Sequence, residues 1–477
     1  MNGSVRAALA ITAAAVFCVA LAQAAEPDSE PGRRIAVWGS SVANGVGDEP
    51  GHGGYAGRLG ALLEARGWAV FNQSHNGDNT RTIAERFTAG DAAQPDTDYL
   101  TAVAPDYVII GLSLGNEGIA QCQLGQTHRC TSTMGDAEAV MAQFTSGLQS
   151  LIERSRAAGI APIVALPYAR SDFWEREYAF TRRVNLLISA WDVPSINMLG
   201  AVDDGQGRWA RGVWGDPFHP NAAGHREMLH AVVPTLFAAL EAGKPVPAKI
   251  GNGYARVRAD IDAPVTYSVN DTMRSFTLTF AVRPESEGVI AAVSGNTLDA
   301  NYSMVRRSYG DFSWDTESLD LAPSTKRFDA LLDIESGELT YTSSAGSSIS
   351  LPFVYPGKWQ YVTVTHYVAR GETLLYVNGQ LAGKVAEHLQ PDRFVIGGPG
   401  ANASGNKAAR ADYRDLMIHR AGSTGDEVAA LHGGALLRAS LEVYAPLSAQ
   451  GSPTSFNLAQ SLVELAVHPE VRFLSSD

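Results

Sequence analysis

The chain has 477 residues, with 37 Lys and Arg against 50 Asp and Glu, giving a formal net charge of −13. That acidity disfavours nucleic acid and anionic membrane surfaces as partners. The length exceeds what one hydrophobic core usually holds, so two domains are expected.

Near the start, Arg6 is followed by an apolar run from Ala7 to Ala22, too short to span a bilayer comfortably, and then by Ala22-Gln23-Ala24, a small-x-small cleavage pattern. Residues 1–24 therefore read as a cleavable export signal, and the product as secreted or periplasmic. Phe17 before Cys18 is too large for a lipoprotein signal, so no lipid anchor is expected. No later stretch is long and apolar enough for an integral membrane segment.

From residue 33 to 241, short apolar runs alternate with amphipathic stretches. The runs are Ile35 to Trp38, Ala69 to Phe71, Tyr107 to Leu112, Pro162 to Leu166 and, weakly, Ser195 to Met198. Helical spacing occupies Tyr55 to Arg66, Ala137 to Ala157, Phe180 to Ala190 and Ala222 to Ala239. This pattern predicts a parallel sheet flanked by helices, an α/β domain of three layers.

The first run breaks at Gly39 into Gly39-Ser40-Ser41, which places Ser41 at the carboxyl edge of the sheet, where open α/β folds keep their chemistry. A serine needs a histidine to take its proton and an acid to orient that histidine. Both occur in Asp216-Pro217-Phe218-His219, just ahead of a helix opened by Pro220 and Asn221. A three-residue spacing in a turn lets Asp216 accept the Nδ1 proton of His219 and leaves Nε2 for Ser41. Gly77, in Ser-His-Asn-Gly-Asp-Asn, and Asn116, in Leu-Gly-Asn-Glu, can add a backbone and a side-chain donor for an oxyanion beside the Ser41 amide.

Ser, Gly, Asn and His blocks in this chain order resemble the SGNH (GDSL-like) hydrolase family. Its Gly-Asp-Ser reads Gly39-Ser40-Ser41 here, and its Gly-x-Asn-Asp reads Leu114-Gly115-Asn116-Glu117. The resemblance implies a serine esterase with Ser41 as nucleophile, His219 as general base and then acid, Asp216 as orienter, and Ser41, Gly77 and Asn116 as the oxyanion hole. Ser40 is the competing hydroxyl. That chemistry requires no metal or organic cofactor.

Other readings of these residues are weaker. His219, His225 and His230 lack the one-face spacing of a zinc site, and Gly45-Val46-Gly47 lacks the rest of a dinucleotide fingerprint. Once the signal is removed, Cys122 and Cys130 remain, and in an oxidising compartment they are expected to pair. The closed loop beside the Asn116 block would be stabilised by roughly 2 to 3 kcal/mol, less strain. Of the aromatics Phe173, Trp174, Trp209 and Trp214, Trp214 is the candidate substrate contact, two residues from Asp216; Trp38 belongs to the first strand and its packing.

Residues 242–250, with Gly243, Pro245 and Pro247, read as a linker. Beyond it the period changes to short alternating runs: Ser275 to Val282, Gly288 to Val293, Leu339 to Thr342, Trp359 to His366, Thr373 to Val377, Arg393 to Ile396 and Tyr413 to His419. With Asn378-Gly379 as a hairpin turn, residues 251–447 look like a laminin G or concanavalin A-like jelly-roll sandwich. Residues 448–477 form a tail with a short amphipathic piece, Leu458 to Val467. The resemblance of the second domain to glycan-binding modules makes an acylated, above all acetylated, polysaccharide the expected substrate, and a glycan an expected ligand of the β domain. A module that only supports the enzyme is the plainer reading of that domain. The rival functions are a lipase or small-ester hydrolase, and a glycan-binding protein whose first domain has lost activity.

Overall fold

The computed structural model describes residues 33–49, 51–91, 98–119, 137–251, 253–309, 312–400, 406–448 and 457–475. The expected signal segment 1–24 and the expected pairing of Cys122 with Cys130 lie outside the described residues.

Five parallel strands form the first sheet: β1 (Arg34–Gly39), β2 (Ala69–Asn72), β3 (Tyr107–Gly111), β4 (Ala161–Ala165) and β5 (Ser195–Ile196), in the order β2-β1-β3-β4-β5. Side chains alternate between two cores, which is why the central strands are apolar throughout. Ile35, Val37, Tyr107, Ile109 and Ile163 enter a core with helices α1 (Gly54–Glu64), α7 (Ala222–His230) and α8 (Leu236–Glu241). Ala36, Trp38, Val108, Ile110 and Val164 enter the opposite one, with α4 (Ala137–Ala157) and α5 (Glu175–Ser189). Short helices α2 (Thr80–Ala84), α3 (Leu114–Glu117) and α6 (Leu199–Val202) complete the layers, and a two-stranded ribbon, β6 (Trp214–Asp216) and β7 (His219–Pro220), precedes α7.

Three expectations shift. The stretch Ala222 to Ala239 is two helices, because Pro234 has no N–H and disfavours helical backbone at Val233. The helix expected from Phe180 starts at Glu175, where Glu177 accepts the Trp174 N–H at 3.0 Å. Pro220 does not open α7 but belongs to β7; Asn221 is the cap, accepting the Gly224 N–H at 3.0 Å.

The second region is an antiparallel sandwich. One sheet runs β17-β16-β15-β10-β19-β8-β22, with β20 pairing β19, and the other β14-β13-β12-β11-β18-β9-β21. In chain order these are β8 (Gly253–Val257), β9 (Val265–Ser268), β10 (Phe276–Pro284), β11 (Gly288–Tyr309), β12 (Phe312–Glu335), β13 (Glu338–Thr342), β14 (Ser348–Pro352), β15 (Gln360–Tyr367), β16 (Glu372–Val377), β17 (Gln380–Ala386), β18 (Leu389–Ile396), β19 (Ala411–His419), helix α9 (Gly425–His432), β20 (Leu441–Ala445), β21 (Leu465–Val467) and β22 (Arg472–Ser475). Asn378 and Gly379 turn β16 into β17 with φ of 52° and 77°, the left-handed pair such a hairpin requires. The amphipathic piece of the expected tail ends in a strand: β21 pairs β9 and β22 pairs β8, so the tail adds one strand to each sheet.

On β10, Phe276, Leu278, Phe280 and Val282 fill the sandwich core, while Thr277 and Thr279 face outward yet are fully buried. They are satisfied by Thr365 and Thr363 at 2.9 and 3.0 Å, and the Thr277 hydroxyl also donates to the Ala421 carbonyl. The segment above them docks onto α6 of the first domain: Gly422 N–H donates to the Gly200 carbonyl, and a Cβ on Gly200 would lie 2.1 Å from the Gly422 oxygen. Asn197, after β5, donates its side-chain amide to Glu427 Oε1 at 3.1 Å and its N–H to the Ser440 hydroxyl oxygen at 2.8 Å.

Glu427 also accepts the Thr424 N–H and hydroxyl. Burial nevertheless dominates and pushes its carboxyl from 4.5 up to about 7. A raised carboxyl binds its proton more tightly folded than unfolded, so it contributes stability below pH 4.5 that is lost as pH rises through 7. Melting temperatures of wild type and Glu427→Gln across this window should show a decline in wild type that is absent in the variant; parallel curves would mean that Glu427 does not titrate at the interface.

Candidate active site

The four blocks meet at the carboxyl edge of the sheet, three of them leaving β1, β2 and β3. Between β1 and β3 the chain direction across the sheet reverses, the place where open α/β sheets form a crevice. Ser41 begins a tight turn after β1 and is half-exposed, whereas Ser40 is buried with its N–H on the Gly111 carbonyl at 3.0 Å. Of the two hydroxyls only that of Ser41 meets the histidine.

His219 Nε2 lies 2.9 Å from Ser41 Oγ, and Nδ1 lies 2.9 and 2.8 Å from the two oxygens of Asp216. Because the Asp216 carboxylate can only accept, Nδ1 carries the proton and Nε2 is left to accept from the serine. Asp216 Oδ1 also takes the N–H groups of Phe218 and His219 at 2.8 and 3.0 Å, so the same carboxylate shapes the turn and orients the ring. Burial opposes its ionisation, but the hydrogen bonds from the His219 ring and from the two N–H groups outweigh it, and the carboxyl titrates below its ordinary value.

Gly77 follows β2 in a turn with φ of 87°, its missing side chain pointing into open space. Among the described residues, the N–H groups of Ser41 and Gly77 donate to no protein acceptor, which leaves both for a ligand. Asn116 sits on α3, capped by Ser113, and one hydrogen of its amide goes to the Asp78 carbonyl at 3.1 Å. The second hydrogen remains available. Glu117, where the family pattern has Asp, is buried and accepts Thr80 Oγ1 at 2.6 Å, Thr80 N–H at 3.0 Å and Gln143 Nε2 at 2.9 Å; it anchors α2 and α4 beneath the site.

Two supporting residues escaped sequence reasoning. Arg170, just beyond β4, is buried, grips Asp172 through two bonds of 2.8 and 2.7 Å, and lies 4.5 Å over the Phe218 ring. A Cβ on Gly115 would fall 1.8 Å from Arg170 Nη1, so the guanidinium fills the space above Gly115 and ties the Asn116 block to the His219 turn. The only signal was a charged residue at a strand's carboxyl end. His225 is the second. Its Nδ1 accepts the Tyr55 N–H at 3.2 Å and its Nε2 donates to the Val46 carbonyl at 3.0 Å, so both nitrogens are spent, one on the start of α1 and the other on the Ser41 loop. Burial holds its pKa down to about 4, keeping it neutral.

Among the aromatics, Phe173 and Trp209 are core residues, and Trp209 Nε1 donates to the Pro217 carbonyl at 3.2 Å. Trp214, the expected substrate contact, is half-buried against the α1/α7 core. The exposed ring is Trp174, 61% accessible, at the end of a loop that meets the turn through Ser171 N–H on the Pro217 carbonyl. Among the described residues no group of three His, Cys, Asp or Glu side chains could hold a metal ion, and no helix is long and apolar enough to cross a membrane.

Residues 37–227 match the GDSL-like lipase/acylhydrolase family. This segment is a GDSL-like hydrolase domain. All four blocks and the whole Ser41–His219–Asp216 relay fall inside the match. No curated protein matches the chain. Among solved structures, the chain is similar to a heptameric SAP-like pentraxin from Limulus polyphemus, at 14% identity over 48% of this chain and 98% of that one with a TM-score of 0.31. It is also similar to an acetylxylan esterase from Geobacillus stearothermophilus, at 17% identity over 42% of this chain and 92% of that one with a TM-score of 0.30.

The geometry of Asn116 in the GDSL-like domain generates a two-part expectation. Asn116→Ala should lower kcat on a soluble ester by roughly a hundredfold to a thousandfold with KM little changed, because an oxyanion donor acts once charge has developed. It should also cost about 1 kcal/mol of stability through the lost bond to Asp78. Loss of stability with near-normal kcat would confine Asn116 to holding the loop.

Proposed function

We propose that Ser41, His219 and Asp216 are the catalytic triad of an exported esterase that removes acetyl or similar acyl groups from a polysaccharide. The observation that carries the reading is the continuous relay from Asp216 through His219 to the half-exposed Ser41 Oγ. In the first half-reaction Ser41 Oγ attacks the ester carbonyl while His219 Nε2 takes its proton, and the oxyanion is received by the N–H groups of Ser41 and Gly77 with the Asn116 amide. His219 then protonates the departing sugar oxygen. Water, deprotonated by the same nitrogen, attacks the acyl-enzyme, the acid leaves, and the proton returns to Ser41.

A carbohydrate rather than a lipid substrate is favoured by the rim. Asn44 and Asn76, both exposed, flank Ser41 and Gly77 and are joined by a 3.0 Å bond between their amides. Such groups suit hydroxyls better than acyl chains. The export reading rests on the pattern of residues 1–24.

Release of acetate from an acetylated polysaccharide, set against hydrolysis of long-chain esters, tests the substrate class. Wild type should release acetate and leave the long-chain esters largely untouched; Ser41→Ala should abolish turnover of both, and Ser40→Ala should retain most of the rate. Faster cleavage of long-chain esters would make the protein a lipase, and full activity in Ser41→Ala would remove the triad.

A further inference from the structure

β11 and β12 pair without interruption from Gly288 opposite Ile334 to Tyr309 opposite Phe312, apart from two bulges. Their outer neighbours stop early: β18 accompanies β11 only as far as Thr297, and β13 accompanies β12 only over residues 331–335. Beyond that point residues 298–309 and 312–323 form a free-standing two-stranded ribbon, which needs packing to persist. It lies on the hydrolase domain. Leu298, Leu319 and Leu321 enter the same core as α1 and α7.

From there the ribbon grips the segment that carries Asp216 and His219. Leu319 N–H donates to the Gly212 carbonyl at 2.8 Å, Glu317 holds Arg211 through two 2.7 Å bonds, and Trp314 Nε1 donates to the Gly215 carbonyl, one residue before Asp216, at 2.8 Å. Beside Trp314 on the facing strand, Arg307 lies against Gly215 and reaches Glu49 Oε1 at 3.1 Å, in the loop that starts at Ser41, while its Nε is fixed by Thr316 at 3.0 Å. The two loops touch directly: a Cβ on Gly47 would fall 2.0 Å from the Pro220 oxygen and 3.2 Å from His219 Cβ.

We propose that Trp314 and Arg307 are positioning residues of the hydrolase site, holding the Asp216–His219 turn and the Ser41 loop at the separation that the relay requires. The second domain is therefore part of the active site and matters even for an ester too small to touch the sandwich. The proposal rests on Ser41 being the nucleophile.

The test uses the full chain and p-nitrophenyl acetate, with kcat expressed per site titrated by an organophosphonate and melting temperature measured in parallel. Trp314→Phe keeps the ring and removes the N–H; Arg307→Ala and Glu49→Gln break the second link from either end. Each should lower kcat roughly tenfold, and Trp314→Phe with Arg307→Ala roughly a hundredfold, with KM unchanged, because small misplacements of catalytic groups are costly. Arg306→Ala, whose side chain pairs with Asp315 on the ribbon itself, should match wild type. Wild-type kcat per site in all three single variants, including any with a lowered melting temperature, overturns the proposal while leaving an inactive Ser41→Ala in place. Turnover by Ser41→Ala overturns the nucleophile reading, and this proposal with it.

Discussion

The 2.9 Å hydrogen bond between Ser41 and His219 joins groups 178 residues apart, one after the first strand and the other just before α7. Everything near it fixes one end or the other. Asp216 builds the turn as well as orienting the ring, His225 pins the Ser41 loop at Val46, and Arg170 wedges the Asn116 block against Phe218. A bond between two loops tolerates little drift, because a serine is a poor nucleophile without its base in reach.

The same constraint gives the second domain a role in the chemistry. Its contact with the hydrolase is extensive: main-chain bonds at Gly200–Gly422, Ser195–Ser440 and Gly212–Leu319, a buried carboxylate at Glu427, and three leucines of the ribbon in the hydrolase core. Burying each leucine is worth about 1.5 to 3 kcal/mol relative to exposure. A flexibly tethered module would show none of this. The sandwich supports the hydrolase whether or not it also binds a glycan.

The parallel sheet and its blocks were legible because buried strands are apolar along their whole length and the Ser, Gly, Asn and His blocks keep a fixed order. Ala137 to Ala157 coincides with α4 for a similar reason: Val140, Phe144, Leu148 and Leu151 recur at helical spacing. The ribbon was passed over although Leu298, Ala300, Tyr302 and Met304 alternate with Asp299, Asn301 and Ser303. That alternation marks a strand but carries no sign that the strand leaves its own sheet and docks on the other domain. Arg170 and His225 were missed because their importance lies in what the fold brings beside them, Gly115 and Phe218 in one case and Val46 and Tyr55 in the other. Trp214 was singled out for being near Asp216 in sequence, and in the fold it packs partly on the core.

The most direct measurement is to map by proteolysis and mass spectrometry where an organophosphonate attaches to the intact chain. The account requires a single adduct on the peptide containing Ser41, at Ser41 rather than Ser40, and almost none in His219→Ala, because the serine is reactive only while that base takes its proton. An adduct on another residue, or undiminished labelling of His219→Ala, would contradict it.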